Sequence, residues 1–312
     1  MRYALMCEPQ QGLSYLEILA LARAAEDAGF ETFFRSDHFT SFPGEKGQHT
    51  TDCWATLAGL ARETTRIGLG SLVSPVTFRI PGALVKIVST VDEMSGGRVE
   101  LGVGAGWNDD EHGQLGLPFP DIRERADRLE EELAIVRGVW DEPDGWTFAG
   151  THWQVTGSLL RPRGRRPNLI VGGTGKPRSL RLAARYADEY NISSSAPASV
   201  TRIRERLATE CRAIGREPDT LTVSVMAGVL IGRDEAEFQA RVQDQIAMFG
   251  ASADDARTWL AARGERWVMG TPDAARARLA EFIAAGAQRI MLQTFLPRDL
   301  DQVRLMGETL LG

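Results

Sequence analysis

Three short segments hold residue types at spacings that could do chemistry. The first is Arg35-Ser36-Asp37-His38-Phe39. An imidazole gains or loses a proton near neutral pH, and a neighbouring carboxylate can fix its tautomer or orientation. The plainer reading of the Asp-His pair is a loop cap. The second segment is Gly102-Val103-Gly104-Ala105-Gly106-Trp107-Asn108. Glycine at alternate positions removes side chains, either to let a flat ring lie close to the backbone or to form a bulge or tight corner. Trp107 stands where the last glycine of G-x-G-x-x-G would be, which breaks that fingerprint. The third segment is Gly172-Gly173-Thr174-Gly175-Lys176-Pro177. Exposed N–H groups at a helix start, together with a lysine, make an anion site whose usual occupant is phosphate; a capping turn is the alternative. It is not a P-loop, because Ile170 stands at the first glycine of G-x-x-x-x-G-K and Pro177 replaces the magnesium-binding hydroxyl. His49, His112 and His152 are expected to be surface or structural residues. No H-x-H or H-E-x-x-H spacing occurs, so no metal is expected.

Each segment follows a β-type apolar run, and such runs alternate with amphipathic stretches along the chain. Ser14-Tyr15-Leu16-Glu17 is a capping box opening a helix that lasts to Ala28 and ends at Gly29. Strands are expected at 3–7, 30–35, 67–71, 99–103, 168–171, 189–192, 221–231 and 289–293. Further helices are expected at 52–61, 82–94, 122–139, 178–186, 199–214, 273–285 and 299–310. Eight strands, each followed by a helix, predict an α/β protein with a single (β/α)₈ TIM barrel, whose active site is built at the C-terminal strand ends. The turns Asp27-Ala28-Gly29-Phe30 and Ala285-Gly286-Ala287 repeat one helix-to-strand device. A doubly wound open sheet would carry its glycine fingerprint after the first strand, and Cys7-Glu8-Pro9-Gln10-Gln11-Gly12 has none. Insertions follow strands 4 and 7, at 141–167 and 234–269, and both are expected as lids or rims. Arg161, Arg163, Arg165 and Arg166 precede strand 5 and read as a solvated cluster at the opposite end.

With 43% apolar and 25% charged residues over 312, the chain is neither disordered nor fibrous. A barrel of about 250 residues folds as one unit, so one domain over 1–312 is expected. The net charge of −6 gives no drive toward nucleic acid or an anionic membrane. No apolar run approaches the roughly 20 residues that span a bilayer, and no signal-type apolar region opens the sequence, so a cytoplasmic protein is expected. Cys7, Cys53 and Cys211 form no C-x-x-C pair, which argues against disulfides and zinc.

Ser36-Asp37-His38, Pro75-Val76-Thr77-Phe78-Arg79, the 102–108 run and Gly270-Thr271-Pro272, in that order on a barrel pattern, resemble the luciferase-like monooxygenase superfamily. These are barrel flavoenzymes, among them bacterial luciferase and many reductases that use the deazaflavin coenzyme F420, and the resemblance covers nearly the whole chain. It implies that His38 lies beside the isoalloxazine-type ring as the catalytic residue, with Asp37 in the same site. It further implies that Asn108 binds the ring's pyrimidine edge and that Gly172, Gly173, Thr174, Gly175 and Lys176 hold the phosphate. Ser71-Leu72 matches the family's non-prolyl cis peptide behind the ring. The function implied is hydride transfer between F420 and a small organic substrate under the 234–269 insertion. The alternatives are an FMN-dependent monooxygenase served by a separate reductase, or a cofactor-binding protein without turnover. Ala105 stands where the sugar-phosphate dehydrogenase branch carries a catalytic Glu, so glucose 6-phosphate is not the expected substrate. Family members are often dimers, and a homodimer is expected.

Overall fold

The computed structural model describes residues 1–250, 252 and 255–311. Its strands are β1 (Arg2–Cys7), β2 (Thr32–Arg35), β3 (Gly68–Pro75), β4 (Val99–Gly104), β5 (Trp146–Ala149), β6 (Gln154–Ser158), β7 (Asn168–Gly173), β8 (Glu189–Ser193), β9 (Thr222–Ile231), β10 (Val268–Gly270) and β11 (Arg289–Thr294). Parallel pairing runs β11-β1-β2-β3-β4-β7-β8-β9, and β9 pairs back to β11, so the sheet closes on itself. This is the expected (β/α)₈ barrel. Short β10 adds to the C-terminal half of β9, and β5 with β6 makes a separate antiparallel hairpin.

Local signals in the sequence account for much of this. Ser14 Oγ accepts the Glu17 N–H at 3.4 Å while the Glu17 carboxylate takes the Ser14 N–H at 2.8 Å, and Gly29 ends that helix at φ 92°. Alternate strand residues point inward and outward. Ala4, Met6, Phe34, Leu72, Ile170 and Met291 fill the barrel, while their neighbours Leu5, Phe33, Leu169 and Val171 join the larger core beneath the helices.

The N-terminal end of the barrel is closed by charge. Arg289 opens β11 fully buried, donating to Glu100 at 2.7 Å, Glu189 at 3.0 Å and Thr32 at 2.8 Å. Asn168 donates to the same two carboxylates. Burial acts to raise both carboxyl groups. In Glu189 it prevails, whereas in Glu100 the hydrogen bonds and charge of Arg289 outweigh it and lower the group.

Several expectations are corrected. β3 runs to Pro75, beyond the expected end at 71, and its register on β4 slips between Ser71 and Ser74. The non-prolyl cis peptide is Leu72–Val73, one residue after Ser71-Leu72, because Ser71 keeps its place opposite Leu101 and the irregularity begins only beyond it. Of the lid or rim expected at 141–167, a lid over the mouth is not what forms. The insertion follows helix Ile122–Asp141, which has returned the chain to the N-terminal end, and its hairpin packs on that helix. There the Trp146 ring lies over Gly138, and Glu131 accepts the N–H groups of Thr151, His152 and Trp153. The 234–269 insertion does lie on the mouth side. Helices Glu235–Met248 and Ala256–Arg263 build a small core with Phe238, Val242, Ile246, Trp259 and Trp267. Phe295, just past β11, stacks on Trp267 at 5.2 Å. Positions 251, 253 and 254 of this insertion lie outside the described residues. A helix not foreseen, Asp109–Leu115, follows β4.

Glu132 is buried on helix Ile122–Asp141, and among the described residues neither of its oxygens has a hydrogen-bond partner. Burial pushes its carboxyl up to about 8, opposed by the charge of Arg79. All three cysteines are buried and unpaired. No described helix is long and apolar enough to cross a membrane.

Candidate active site

His38 lies just past the C-terminal end of β2. Its Nδ1 is 2.9 Å from Glu111 Oε1, and the other oxygen of Glu111 accepts the Phe39 N–H at 3.0 Å. The Glu111 side chain is only 2% exposed and that of His38 15%. An imidazole that carries its proton on Nδ1 donates to such a carboxylate oxygen and offers Nε2 as an acceptor. The His38 ring is edge-on to Phe42 at 4.5 Å and to Trp107 at 5.7 Å. Trp107 is 66% exposed.

Asp37 is not brought to the imidazole. Its buried carboxylate accepts from Ser74 Oγ at 2.8 Å and from Arg79 Nη1 at 2.5 Å. Trp54 Nε1 donates to the same Ser74 hydroxyl at 2.9 Å, and Arg79 also pairs with Asp52. Burial works against the Arg79 charge, but the two carboxylates outweigh it and hold the guanidinium protonated. Asp37 therefore fixes the turn that carries His38, and Glu111 orients the ring.

Asn108 is the N-cap of helix Asp109–Leu115, and its side chain makes no capping bond. Its carbonyl accepts from His112 Nδ1 at 2.6 Å, and His112 Nε2 lies 2.7 Å from Thr77 Oγ1. His112 is buried against Phe78 and Phe119, the structural role expected of it. One short helix thus carries both Asn108 and Glu111. Glu111 was missed in the sequence because Asp109-Asp110-Glu111 has the composition of any acidic first turn.

The alternating glycines serve the bulge. A Cβ on Gly104 would come 2.7 Å from Val73 Cγ2 and one on Gly172 3.0 Å from Val73 Cγ1, while Gly102 faces the Ser71 carbonyl. The bulged β3 pushes Val73 into that space. Leu72 and Val73 then form an apolar floor to the mouth, continuous with the barrel interior. A flat ring fits above such a floor, though not directly on the glycine backbone.

The 172–176 loop is tightly built. Tyr190 Oη accepts the Gly175 N–H at 2.9 Å and bonds Ser179 Oγ at 3.0 Å, and Arg206 donates to the Gly175 carbonyl at 2.9 Å. Gly175 has φ +79°, and a Cβ on Gly173 would lie 2.5 Å from Tyr190 Oη. Thr174 and Lys176 are exposed, and helix Pro177–Tyr186 begins with no side-chain cap on its first amides. Uncapped N–H groups beside a lysine fit an anionic group.

A model of the family described as luciferase-like monooxygenase matches residues 1–289. The chain is 34% identical over 179 residues to an F420-dependent glucose-6-phosphate dehydrogenase of Microbacterium testaceum (strain StLB037), which covers 57% of this chain and 52% of the relative. It is 29% identical over 224 residues to an F420-dependent hydroxymycolic acid dehydrogenase of Mycobacterium tuberculosis (strain ATCC 25618 / H37Rv), covering 72% of this chain and 61% of the relative. It therefore spans little more than half the length of these curated relatives. A solved F420-dependent secondary alcohol dehydrogenase in complex with an F420-acetone adduct superposes with TM-score 0.83 at 17% identity, over 99% of this chain and 98% of that one, a likeness of fold. With the family model matched over most of its length and the barrel closed as in that structure, the chain belongs to the luciferase-like monooxygenase family.

Proposed function

We propose that the protein is an F420-dependent oxidoreductase that passes a hydride between the deazaflavin and a small organic substrate. The observation that carries this reading is the His38–Glu111 pair, an imidazole held at the barrel mouth whose Nε2 has no hydrogen-bond partner among the described residues. The names of the two curated relatives support the cofactor. The residues that would hold it are Gly172, Gly173, Thr174, Gly175 and Lys176 at the phosphate and Asn108 at the ring edge, with Ser71, Leu72 and Val73 beneath the ring and Asp37 anchoring the turn. When bound, the deazaflavin supplies a ring carbon that accepts or releases hydride. His38 Nε2 takes the hydroxyl proton of an alcohol, or returns it to a carbonyl, and Glu111 stabilises the imidazolium this produces. Leu72 and Val73 keep water from the floor of the site. We further take the chain to act as one domain, as a cytoplasmic homodimer, with neither nucleic acid nor membrane as partner.

Two measurements test the reading. Equilibrium dialysis should show F420 bound more tightly than FMN, and micromolar FMN binding with no deazaflavin binding would transfer the site to monooxygenase chemistry. Single-turnover hydride transfer at saturating cofactor should fall about 10²- to 10⁴-fold in His38→Asn. A loss under about threefold would remove His38 from the chemistry.

A further inference from the structure

We infer that the substrate is a neutral alcohol or ketone with an apolar, ring-sized body, packed against Trp107 and Phe42, and not a phosphorylated or carboxylated compound. This rests on the proposed function and names the substrate class of the same site. Two independent features of the mouth carry it, one of charge and one of shape.

The loops after β1 to β4, residues 8–14, 36–52, 76–80 and 105–121, surround His38 and contain only two cationic side chains, Lys46 and Arg79. Both are engaged. Lys46 pairs with Asp110 at 2.8 Å, and Arg79 is held by Asp37 and Asp52. Against them stand buried Glu111, exposed Asp109 and the carboxylate of Glu8, whose hydrogen bonds come from the uncharged amides of Gln10 and Gln293. Three arginines of neighbouring elements also reach these loops, and each is buried or already paired: Arg35 donates to Ser36, Thr51 and Asp52, Arg125 lies over the Phe119 ring, and Arg298 pairs with Glu17. An anionic group brought to this half of the mouth would meet, among the described residues, carboxylates and only cations that are buried or already held by other groups. The uncapped loop with Lys176 follows β7, the next strand round from β4, and is the segment assigned under the proposed function to the cofactor's anion.

Shape points the same way. An indole 66% exposed, edge-on to both His38 and Phe42, leaves a large apolar surface in water beside the proton acceptor. Such surface is covered at a binding site by an apolar part of the ligand, with a few polar groups setting its orientation. A hydroxyl on His38 Nε2 with the adjoining ring on Trp107 and Phe42 satisfies both. In that pose, with the deazaflavin bound, the carbinol C–H bond would break and its electron pair would leave as hydride to the cofactor. The O–H proton passes to Nε2 and the C=O bond forms, so the alcohol is oxidised by two electrons and the cofactor reduced by two. Reduction of the ketone is the reverse.

The test titrates the protein, with and without F420, with 1-phenylethanol, acetophenone and glucose 6-phosphate, following tryptophan fluorescence. The aryl compounds should bind at least about tenfold more tightly than the sugar phosphate. Trp107→Ala should abolish that preference and raise KM for 1-phenylethanol while leaving the F420 dissociation constant unchanged, and Trp107→Phe should restore most of it. Equal or tighter binding of glucose 6-phosphate, or no response to the aryl compounds, overturns the inference. Failure to bind F420 would instead defeat the cofactor reading, and the cofactor-free titration would still decide the substrate class.

Discussion

Asp37 and Glu111 both approach the turn that carries His38, and only Glu111, 73 positions away in sequence, touches the ring. In the turn past β2 the acid beside the histidine is directed to Arg79 and Ser74, while the imidazole meets Glu111, Phe42 and Trp107. Sequence inspection could name His38, because a histidine at a strand end is conspicuous. It could not name its partner, because an acid in a helix's first turn reads as an ordinary complement to the helix dipole. Replacing Glu111 with Gln keeps the volume and removes the charge, and it sets an amide donor against either His38 Nδ1–H or the Phe39 N–H. Single-turnover hydride transfer, followed by stopped flow, should slow by about 10²-fold through loss of imidazolium stabilisation. The F420 dissociation constant should stay within about threefold of wild type, since no cofactor contact is removed.

Among the elements, the loop after β7 shows how a glycine can act at one remove. Gly173 leaves room for Tyr190, and Tyr190 in turn holds the Gly175 N–H. In Gly173→Val the added atoms displace the Tyr190 hydroxyl, and Gly175, already at positive φ, loses its anchor. Isothermal titration should find F420 bound about 10- to 100-fold more weakly, a loss of one or two charge-assisted hydrogen bonds. Tyr190→Phe should weaken binding in the same direction with less disturbance. Most elements were legible because caps and apolar runs are local signals, as at Ser14 and Gly29. β3 was not, since Ser74-Pro75 reads as a turn and only pairing with β4 extends the strand through its bulge. The end occupied by the hairpin at 146–158 was not legible because extra length between barrel elements reads only as a lid or rim, and its position after a returning helix is what shows which end it occupies.

For the molecule as a whole, stability should depend on pH through Glu132. Its folded carboxyl is raised by burial to about 8 from an ordinary 4.5, so the folded protein holds a proton there that the unfolded chain has released. The contribution is fully present below the unfolded value and is lost as pH rises through the folded one, with a slope of about 1.4 kcal/mol per pH unit in between. Urea unfolding from pH 5 to pH 9 should therefore show wild type losing stability that Glu132→Gln retains. Parallel pH profiles for the two proteins would contradict this.

Arg289 bears on how the chain is made. The guanidinium that neutralises the inner end of the barrel lies 189 residues beyond Glu100 and 100 beyond Glu189. On the ribosome those carboxylates emerge first, before the one guanidinium that in the finished barrel bonds both of them, and an acid buried without its partner is costly. Only when β11 enters between β9 and β1 do ring closure and charge neutralisation arrive together. Synthesis from the N-terminus thus supplies the partner of Glu100 and Glu189 together with the strand that closes the barrel.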